Sequence, residues 1–157
     1  MNYNYKTDNP KFHEDVFNEV GNIVKECHDF LNDHEAEALE VIYAIGSIEE
    51  GWYSFKVFFQ IHNELFRIGQ IKDKDDYESQ IGIQQSGTDF LLKLKTIFES
   101  YDQQIPTQIK IQFFAASEEV KYNFQYDLIW SNNTEDSYQS EDVYKEWFEE
   151  IKNDLSN

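Results

Sequence analysis

Hydrophobic and polar residues alternate most regularly in the stretch 120–130, which reads VKYNFQYDLIW. Large apolar residues occupy every second position of this stretch, and polar residues occupy the positions between them. Successive side chains of an extended chain point to opposite sides, so the stretch has one apolar face and one polar face. The pattern predicts a half-buried strand, with Val120, Tyr122, Phe124, Tyr126 and Leu128 on its apolar side.

Four earlier segments also have the pattern of strands. They cover about residues 39–47, 52–61, 65–71 and 109–115. The connections between the first three are too short for a parallel crossover, which predicts an antiparallel meander. A turn at residues 117–119 is predicted to join the fourth segment to the stretch 120–130.

Three other segments carry apolar residues at spacings of three and four, as one stripe of a helix does. The first runs from Pro10 to about residue 31, with Asn9 as its cap. The second covers residues 89–101, with Ser86 or Thr88 as its cap, and the third covers residues 141–155. The acidic residues from 32 to 40, the stretch 72–86 and the segment SNNTEDSYQSED after Trp130 are predicted to be polar connections.

The predicted order of elements is helix, three strands, helix, two strands, helix. An antiparallel sheet with helices packed mainly on one face is the simplest way to bury the apolar stripes, so we expect an α+β fold with about five strands. A chain of 157 residues has room for one hydrophobic core. The chain is therefore predicted to be one domain, 1–157, in which residues 1–9 form a loose arm.

The charge of the chain limits its partners. It has 31 acidic and 13 basic residues, a formal net charge of -18, yet 40% of its residues are hydrophobic, enough to fold. Binding phosphates requires Lys and Arg, so this composition argues against direct binding of nucleic acid or an anionic membrane. It favours a basic protein partner, and the alternative is that acidity only keeps the protein soluble.

The single cysteine and the first residues indicate the compartment. Cys27 has no second cysteine with which to form an internal disulfide or a thiolate metal site. The opening sequence MNYNYKTDNP has no basic region followed by an apolar run, and no segment approaches the length that crosses a bilayer. We expect a cytoplasmic protein.

Candidate chemical groups form no catalytic or metal-binding motif in the sequence. His28 and His34 lie near Cys27, but a spacing of six residues does not place two histidines on one helical face. Adjacent acids such as Asp75 and Asp76 lie in polar sequence, without the apolar surroundings that tune an acid or a base. The sequence therefore predicts no catalytic residue, no metal and no cofactor, and a protein that is not an enzyme.

Several segments together resemble a known family. They are the aromatic strand GWYSFKVFF, the pair Pro106-Thr107 after an amphipathic helix, and the segment from Lys121 to Trp130, followed by Trp147 in a late helix. With the order of elements, they resemble the YezG-like family of bacterial immunity proteins over about residues 39–155. Members of that family are small acidic cytoplasmic antitoxins. The resemblance implies tight binding to a cognate secreted toxin, often a nuclease with a basic catalytic face.

The chain also departs from the pattern of that family. The Trp that the family tends to place before the first strand is absent from the segment LEVIY at 39–43, no Trp lies near Pro106, and no Gly precedes Lys121. These departures leave open another immunity family with the same plan, such as proteins encoded beside contact-dependent inhibition toxins. The identity of the toxin stays open in both cases.

Aromatic residues make up 17% of the chain and have two interpretations. Those that follow the period of their element, such as Phe55, are predicted to pack in the core. Trp52, Phe58, Phe114 and Tyr138 lie on the opposite face of their element or in loops. Either a binding partner or a second layer of helix is expected to cover them, because Trp and Tyr are favoured anchors of protein interfaces.

Acidic residues concentrate in two polar loops, which are predicted to form the toxin-binding surface. The phosphate-binding Lys and Arg of a nuclease would meet carboxylates where a nucleic acid backbone otherwise lies. A plain solvated surface is the alternative interpretation of each loop. The predicted toxin-binding residues are Asp73, Asp75, Asp76 and Glu78 in the first loop, and Glu135, Asp136, Tyr138, Glu141 and Asp142 in the second.

The sequence thus favours an immunity protein that occludes a basic toxin without turnover. An acidic adaptor or structural protein that binds another basic partner is the alternative, and the identity of the captured partner separates the two. A small-molecule enzyme would require a deep pocket with convergent polar groups. The oligomeric state is not determined by the sequence.

Overall fold

The computed structural model describes residues 7–71, 77–131 and 138–157. In this part of the chain the elements are α1 (Pro10–Asp29), α2 (Asp33–Ala38), β1 (Leu39–Glu49), β2 (Trp52–Ile61), β3 (Glu64–Arg67), a 3-10 helix (Ile68–Gln70), α3 (Tyr77–Ser100), β4 (Gln108–Phe114), β5 (Glu119–Gln125) and α4 (Ser140–Ser156). The strands form one antiparallel sheet in the order β3-β2-β1-β4-β5. The predicted α+β class and the order of the main elements are confirmed, in one compact domain.

The central strand β1 is buried on both of its faces. Ile42 and Ala44 face the layer formed by α1 and α3, whereas Val41, Tyr43 and Ile45 face α4. The prediction of helices mainly on one face therefore holds for α1 and α3, while α4 covers the opposite face. The reason is that β1 and β2 carry large apolar residues on both sides, and each side needs a helix to exclude water.

The first two helices begin at asparagines whose side chains accept hydrogen bonds from the free N–H groups of the first helical turn. Asn9 Oδ1 accepts a hydrogen bond from the N–H of Lys11 at 2.9 Å, and Pro10 is the first residue of α1, as predicted. The predicted connection before β1 contains α2, because Asn32 and Glu35 form a capping box across its first turn. Of the predicted loose arm, residues 1–6 lie outside the described residues.

Helix α3 begins earlier than the sequence predicts. Ser86 and Thr88 lie inside this helix instead of capping it, and the residues from Tyr77 onward are helical where a polar loop is predicted. The buried stripe of α3 starts at Ile83 and continues through Gly87 before it reaches the large apolar residues. Gly87 has no apolar side chain, so the apolar spacing in the sequence is interrupted there. In the fold the buried side of α3 nevertheless runs without a break from Ile83 through Gly87 to Phe90.

Two strands are shorter than predicted. β5 ends at Gln125, which pairs with Gln108, the first residue of β4. Beyond this pair, the N–H of Thr107 donates to the carbonyl oxygen of Gln125 at 2.8 Å, and the chain then leaves the sheet. β3 ends at Arg67, whose N–H donates to the side-chain oxygen of Gln70 at 2.9 Å and so starts the 3-10 helix.

Glycines allow α3 to lie close to the sheet. A Cβ atom added to Gly87 would lie 2.2 Å from the ring of Phe55, and one added to Gly46 in β1 would lie 2.6 Å from Leu91 Cδ2. Phe55 and Leu91 are both buried, so neither side chain can move into solvent without opening the core. The distance between α3 and the sheet is therefore set by residues without side chains at these two points.

We expect the substitution Gly87→Ala to lower the free energy of unfolding by about 1–3 kcal/mol, because the added methyl group overpacks a filled core. Gly82→Ala in the same helix is the matched control, since nothing lies within 4 Å of the added Cβ. This control should raise the free energy of unfolding by about 0.5–1 kcal/mol, because Ala is the better helix former. Urea unfolding of both variants measures the difference, and equal effects would contradict the close packing of α3.

Candidate functional site

Helix α4 covers one face of the sheet with aromatic side chains. Phe58 of β2 is fully buried beneath it, with its ring centroid 5.0 Å from that of Phe148 and 5.3 Å from that of Trp147. Tyr43 of β1 meets Trp147 edge to face at 5.7 Å. Tyr144 is buried in the same cluster, and burial raises its pKa to about 12. These ring contacts, each worth about 0.5–1.5 kcal/mol beyond the area buried, hold α4 in place on the sheet.

Basic residues of the sheet are directed toward α4. The Nζ atom of Lys56 lies 3.0 Å from a carboxylate oxygen of Glu141, and the Lys110 Nζ lies 5.0 Å above the ring of Trp147. The guanidinium of Arg67 lies 4.0 Å from the ring centroid of Phe148. Lys110 is half-buried, and this burial lowers its pKa. These three positive charges on this face of the sheet are thus engaged by α4 itself.

The opposite side of α4 presents carboxylates to solvent. Glu146, Glu149, Glu150 and Asp154 are exposed and fall on one side of the helix, at spacings of three and four residues. None of the ion pairs among the described residues joins these four carboxylates to a lysine or arginine. We call these four residues the α4 acidic face. It is a row of exposed negative charge on a helix that the aromatic cluster fixes.

The first turn of α4 uses acidic residues for its own structure. The N–H of Gln139 donates to Asp142 Oδ2 at 2.8 Å, and Glu141 makes the ion pair with Lys56 described above. Both acids lie at the positive end of the helix dipole, as the sequence predicts. Tyr138 is partly buried, and its hydroxyl donates to the carboxylate of Glu146 at 3.0 Å. These contacts fix the start of the helix.

The structure brings only some of the predicted toxin-binding residues together. Tyr138, Glu141 and Asp142 lie side by side at the start of α4. Glu78 is exposed in the first turn of α3, which packs against the other face of the sheet, so it is separated from that group. The remaining predicted residues lie outside the described residues; they are Asp73, Asp75, Asp76, Glu135 and Asp136.

A buried glutamate fixes the segment after β5, and sequence analysis missed it. Glu49 is 1% exposed, and its carboxylate accepts hydrogen bonds from the N–H groups of Ile129 at 3.0 Å and Ser131 at 3.2 Å, and from the Ser131 hydroxyl at 2.7 Å. The indole N–H of Trp130 donates to Ser47 Oγ at 2.8 Å. The predicted first strand ends at residue 47 and so leaves out Glu49, but Glu49 is the last residue of β1 and points to the same side of the sheet as Ser47.

The sequence leaves open whether a binding partner or a second layer of helix covers Trp52, Phe58, Phe114 and Tyr138, and the structure differs among the four. Phe58 is fully buried and Phe114 partly buried, both in the cluster under α4, so the second layer of helix covers them. Trp52 is 70% exposed at the start of β2. Tyr138 is partly buried against Glu146. Of these four side chains, Trp52 is the one that is largely free to contact a partner.

An open groove lies between β3 and the C-terminal half of α4. Its volume is about 480 Å³, and Arg67, Lys152, Glu64 and Glu149 are among the residues that line it. The groove therefore mixes both signs of charge. Elsewhere, no three His, Cys, Asp or Glu side chains of the described residues come together in a group that could hold a metal ion. Cys27 of α1 is buried, and burial raises the pKa of its thiol.

Comparison with known proteins assigns no family to the chain. No model of a known protein family matches it, and a search of curated proteins finds no match. None of the helices in the described ranges has the length and hydrophobicity that a membrane crossing requires. The chemistry of the surface is therefore the basis for a functional proposal.

We expect the substitution Glu49→Gln to lower the free energy of unfolding by about 1–3 kcal/mol, because the buried N–H groups of residues 129–131 lose a charged acceptor. Amide hydrogen exchange should become faster at these residues. The neighbouring residue Glu50 is exposed, so Glu50→Gln is the matched control and should change stability by less than about 0.5 kcal/mol. Equal stability of the two variants would show that Glu49 does not hold this segment.

Proposed function

We propose that this protein is an immunity protein of the YezG-like kind, an antitoxin that binds a secreted bacterial toxin and occludes a basic surface on it. The partner is a cationic protein, and a nuclease fits best because its phosphate-binding site is a concave surface of Lys and Arg. Inhibition needs no turnover. The antitoxin occupies the place of the nucleic acid backbone and thereby prevents the substrate from entering.

The α4 acidic face is the observation that carries this proposal. Carboxylates spaced by three and four residues along a helix present a row of acceptors for Lys and Arg side chains. The basic residues of the sheet contact the inner side of α4. None of the ion pairs among the described residues joins the outer row of carboxylates to a lysine or arginine. A surface with this arrangement complements a cationic groove.

The rigidity of α4 adds to the strength of such an interface. Its inner side chains Tyr144, Trp147 and Phe148 are buried, so the backbone that carries the outer carboxylates needs little ordering when a partner binds. Binding that requires little ordering of the backbone loses less entropy. Net negative charge also speeds the encounter with a cation by roughly 10–1,000-fold at low salt.

The acidic loops keep a place in this proposal. Glu141 and Asp142 make contacts that fix the start of α4: Glu141 pairs with Lys56 of β2, and Asp142 accepts a hydrogen bond from the N–H of Gln139. Contact of these two residues with the toxin stays a prediction, and so does contact by the other acidic residues of the two loops. The α4 acidic face continues the second predicted cluster along the same helix.

Co-expression with the toxin gene beside this chain's own gene tests the proposal. We expect a stable complex and protection of cells from the toxin. The triple variant Glu146→Gln, Glu149→Gln, Glu150→Gln should lower the association rate constant about tenfold at low ionic strength, because the acidic face loses most of its charge. Stopped-flow mixing with a catalytically inactive toxin measures this rate over a series of salt concentrations.

The matched control for this experiment neutralises Glu26, Glu37 and Glu99, which are exposed on α1, α2 and α3. Both triple variants remove the same amount of charge, so a difference between them reports the position of the charge and not its total. We expect the control to change the rate constant by less than about twofold. Equal losses would place the binding surface elsewhere, and absence of both complex and protection would overturn the immunity function.

A further inference from the structure

The hairpin between β1 and β2 displays a tryptophan. Glu50 and Gly51 have φ values of 50° and 84°, which correspond to a two-residue turn of type I′. Trp52 follows this turn as the first residue of β2 and is 70% exposed. Its backbone pairs with Glu49, the buried carboxylate that holds residues 129–131. A large apolar side chain is thus held in solvent by a well-fixed backbone.

A second exposed apolar residue lies next to the segment that Glu49 holds. Leu128 is 42% exposed and directly precedes Ile129, whose N–H donates to Glu49. Glu49 and Trp52 are cross-strand neighbours, and such neighbours have Cβ atoms about 4.5–5.5 Å apart. Exposed carboxylates flank both apolar residues in the sequence. We call Glu50, Trp52, Asp127 and Leu128 the hairpin patch.

The exposure of Trp52 follows from where α4 begins. Trp52 and Phe58 lie on the same side of β2, but α4 covers Phe58 and starts beside Lys56 through the ion pair with Glu141. Trp52 is four residues from Lys56, or about 13 Å at the strand rise of roughly 3.3 Å per residue. The helix therefore buries one aromatic residue of this side and leaves the other in solvent.

We propose that the hairpin patch is the apolar anchor of the interface whose charged part is the α4 acidic face. This inference rests on the function proposed above. It names the hairpin patch as the place where the apolar site of a basic partner contacts Trp52. Hot spots of interfaces favour Trp surrounded by residues that exclude water. The occupant is a cationic protein with an apolar site ringed by Lys or Arg, which would meet Glu50 and Asp127.

One partner can reach both parts of this surface. Trp52 of the hairpin patch and α4 lie on the same side of the sheet, because Trp52 shares one side of β2 with Phe58, which α4 covers. A standard interface covers about 800 Å² on each protein, which corresponds to an area roughly 30 Å across. A second copy of this chain fits the patch poorly, since each copy carries a net charge of -18 and the patch itself contains two carboxylates.

The test compares Trp52→Ala with Phe17→Ala. Phe17 is 54% exposed on α1, which packs on the other face of the sheet, so its removal deletes an exposed aromatic residue away from the patch and from the predicted toxin-binding loops. We expect Trp52→Ala to raise the dissociation constant for the inactive toxin at least tenfold, and Phe17→Ala to change it less than twofold, as measured by titration calorimetry. Unchanged urea unfolding of both variants shows that they are folded. If Trp52→Ala binds like the unaltered protein, the anchor is overturned while the immunity function stands.

A photo-cross-linking experiment separates failure of the anchor from failure of the function. The residue p-benzoyl-phenylalanine is placed at position 52 or at position 17 in the native host, and the cross-linked products are identified by mass spectrometry. A basic protein that is captured from position 52 and not from position 17, and that Trp52→Ala binds at least tenfold more weakly, supports the anchor. If that protein does not kill cells, the immunity function is overturned and the anchor stands. Cross-links between two copies of the chain, or equal products from both positions, overturn the anchor.

Discussion

Burial of β1 on both of its faces is the constraint on which the rest of the structure depends. Val41, Tyr43 and Ile45 alternate with Ile42 and Ala44, and all five are buried. A sheet that is apolar on both sides cannot leave either side to water, so a single layer of helices is insufficient. The helices α1 and α3 cover one side, and the acidic helix α4 covers the other.

This arrangement connects the fold to the surface chemistry of the protein. The aromatic stripe of α4 must face the sheet, where it meets Phe58, Arg67 and Lys110. Its carboxylates are then held on the outer side, because a helix that buries one side exposes the opposite one. Lys56, Arg67 and Lys110 of the sheet contact α4, and the carboxylates of the α4 acidic face lie on its solvent side. The negative surface proposed for toxin binding is therefore set by the same packing that stabilises the fold.

The sequence predicts α1, β2 and α4 to within two residues at each end, because the apolar positions of these elements report directly on burial. The bounds of β2 and the cap at Asn9 are correct, whereas α3 is predicted too short because Gly87 replaces a side chain of its buried stripe. β5 ends earlier than predicted because its partner β4 begins at Gln108, opposite Gln125. The alternation of residues 120–130 does not reveal where the neighbouring strand begins. Glu49 was beyond prediction for a similar reason, because the N–H groups that it binds are 80 residues away in sequence.

Carboxyl footprinting of the protein with and without its inactive toxin is the most direct test of the central claim, that the outer side of α4 binds a basic partner. The reagent labels solvent-exposed Asp and Glu side chains, and mass spectrometry locates the labels. The account predicts that Glu146, Glu149 and Glu150 lose most of their labelling in the complex, while Glu14 and Glu26 on α1 keep theirs. Protection of the α1 glutamates with unchanged labelling of α4 would contradict it.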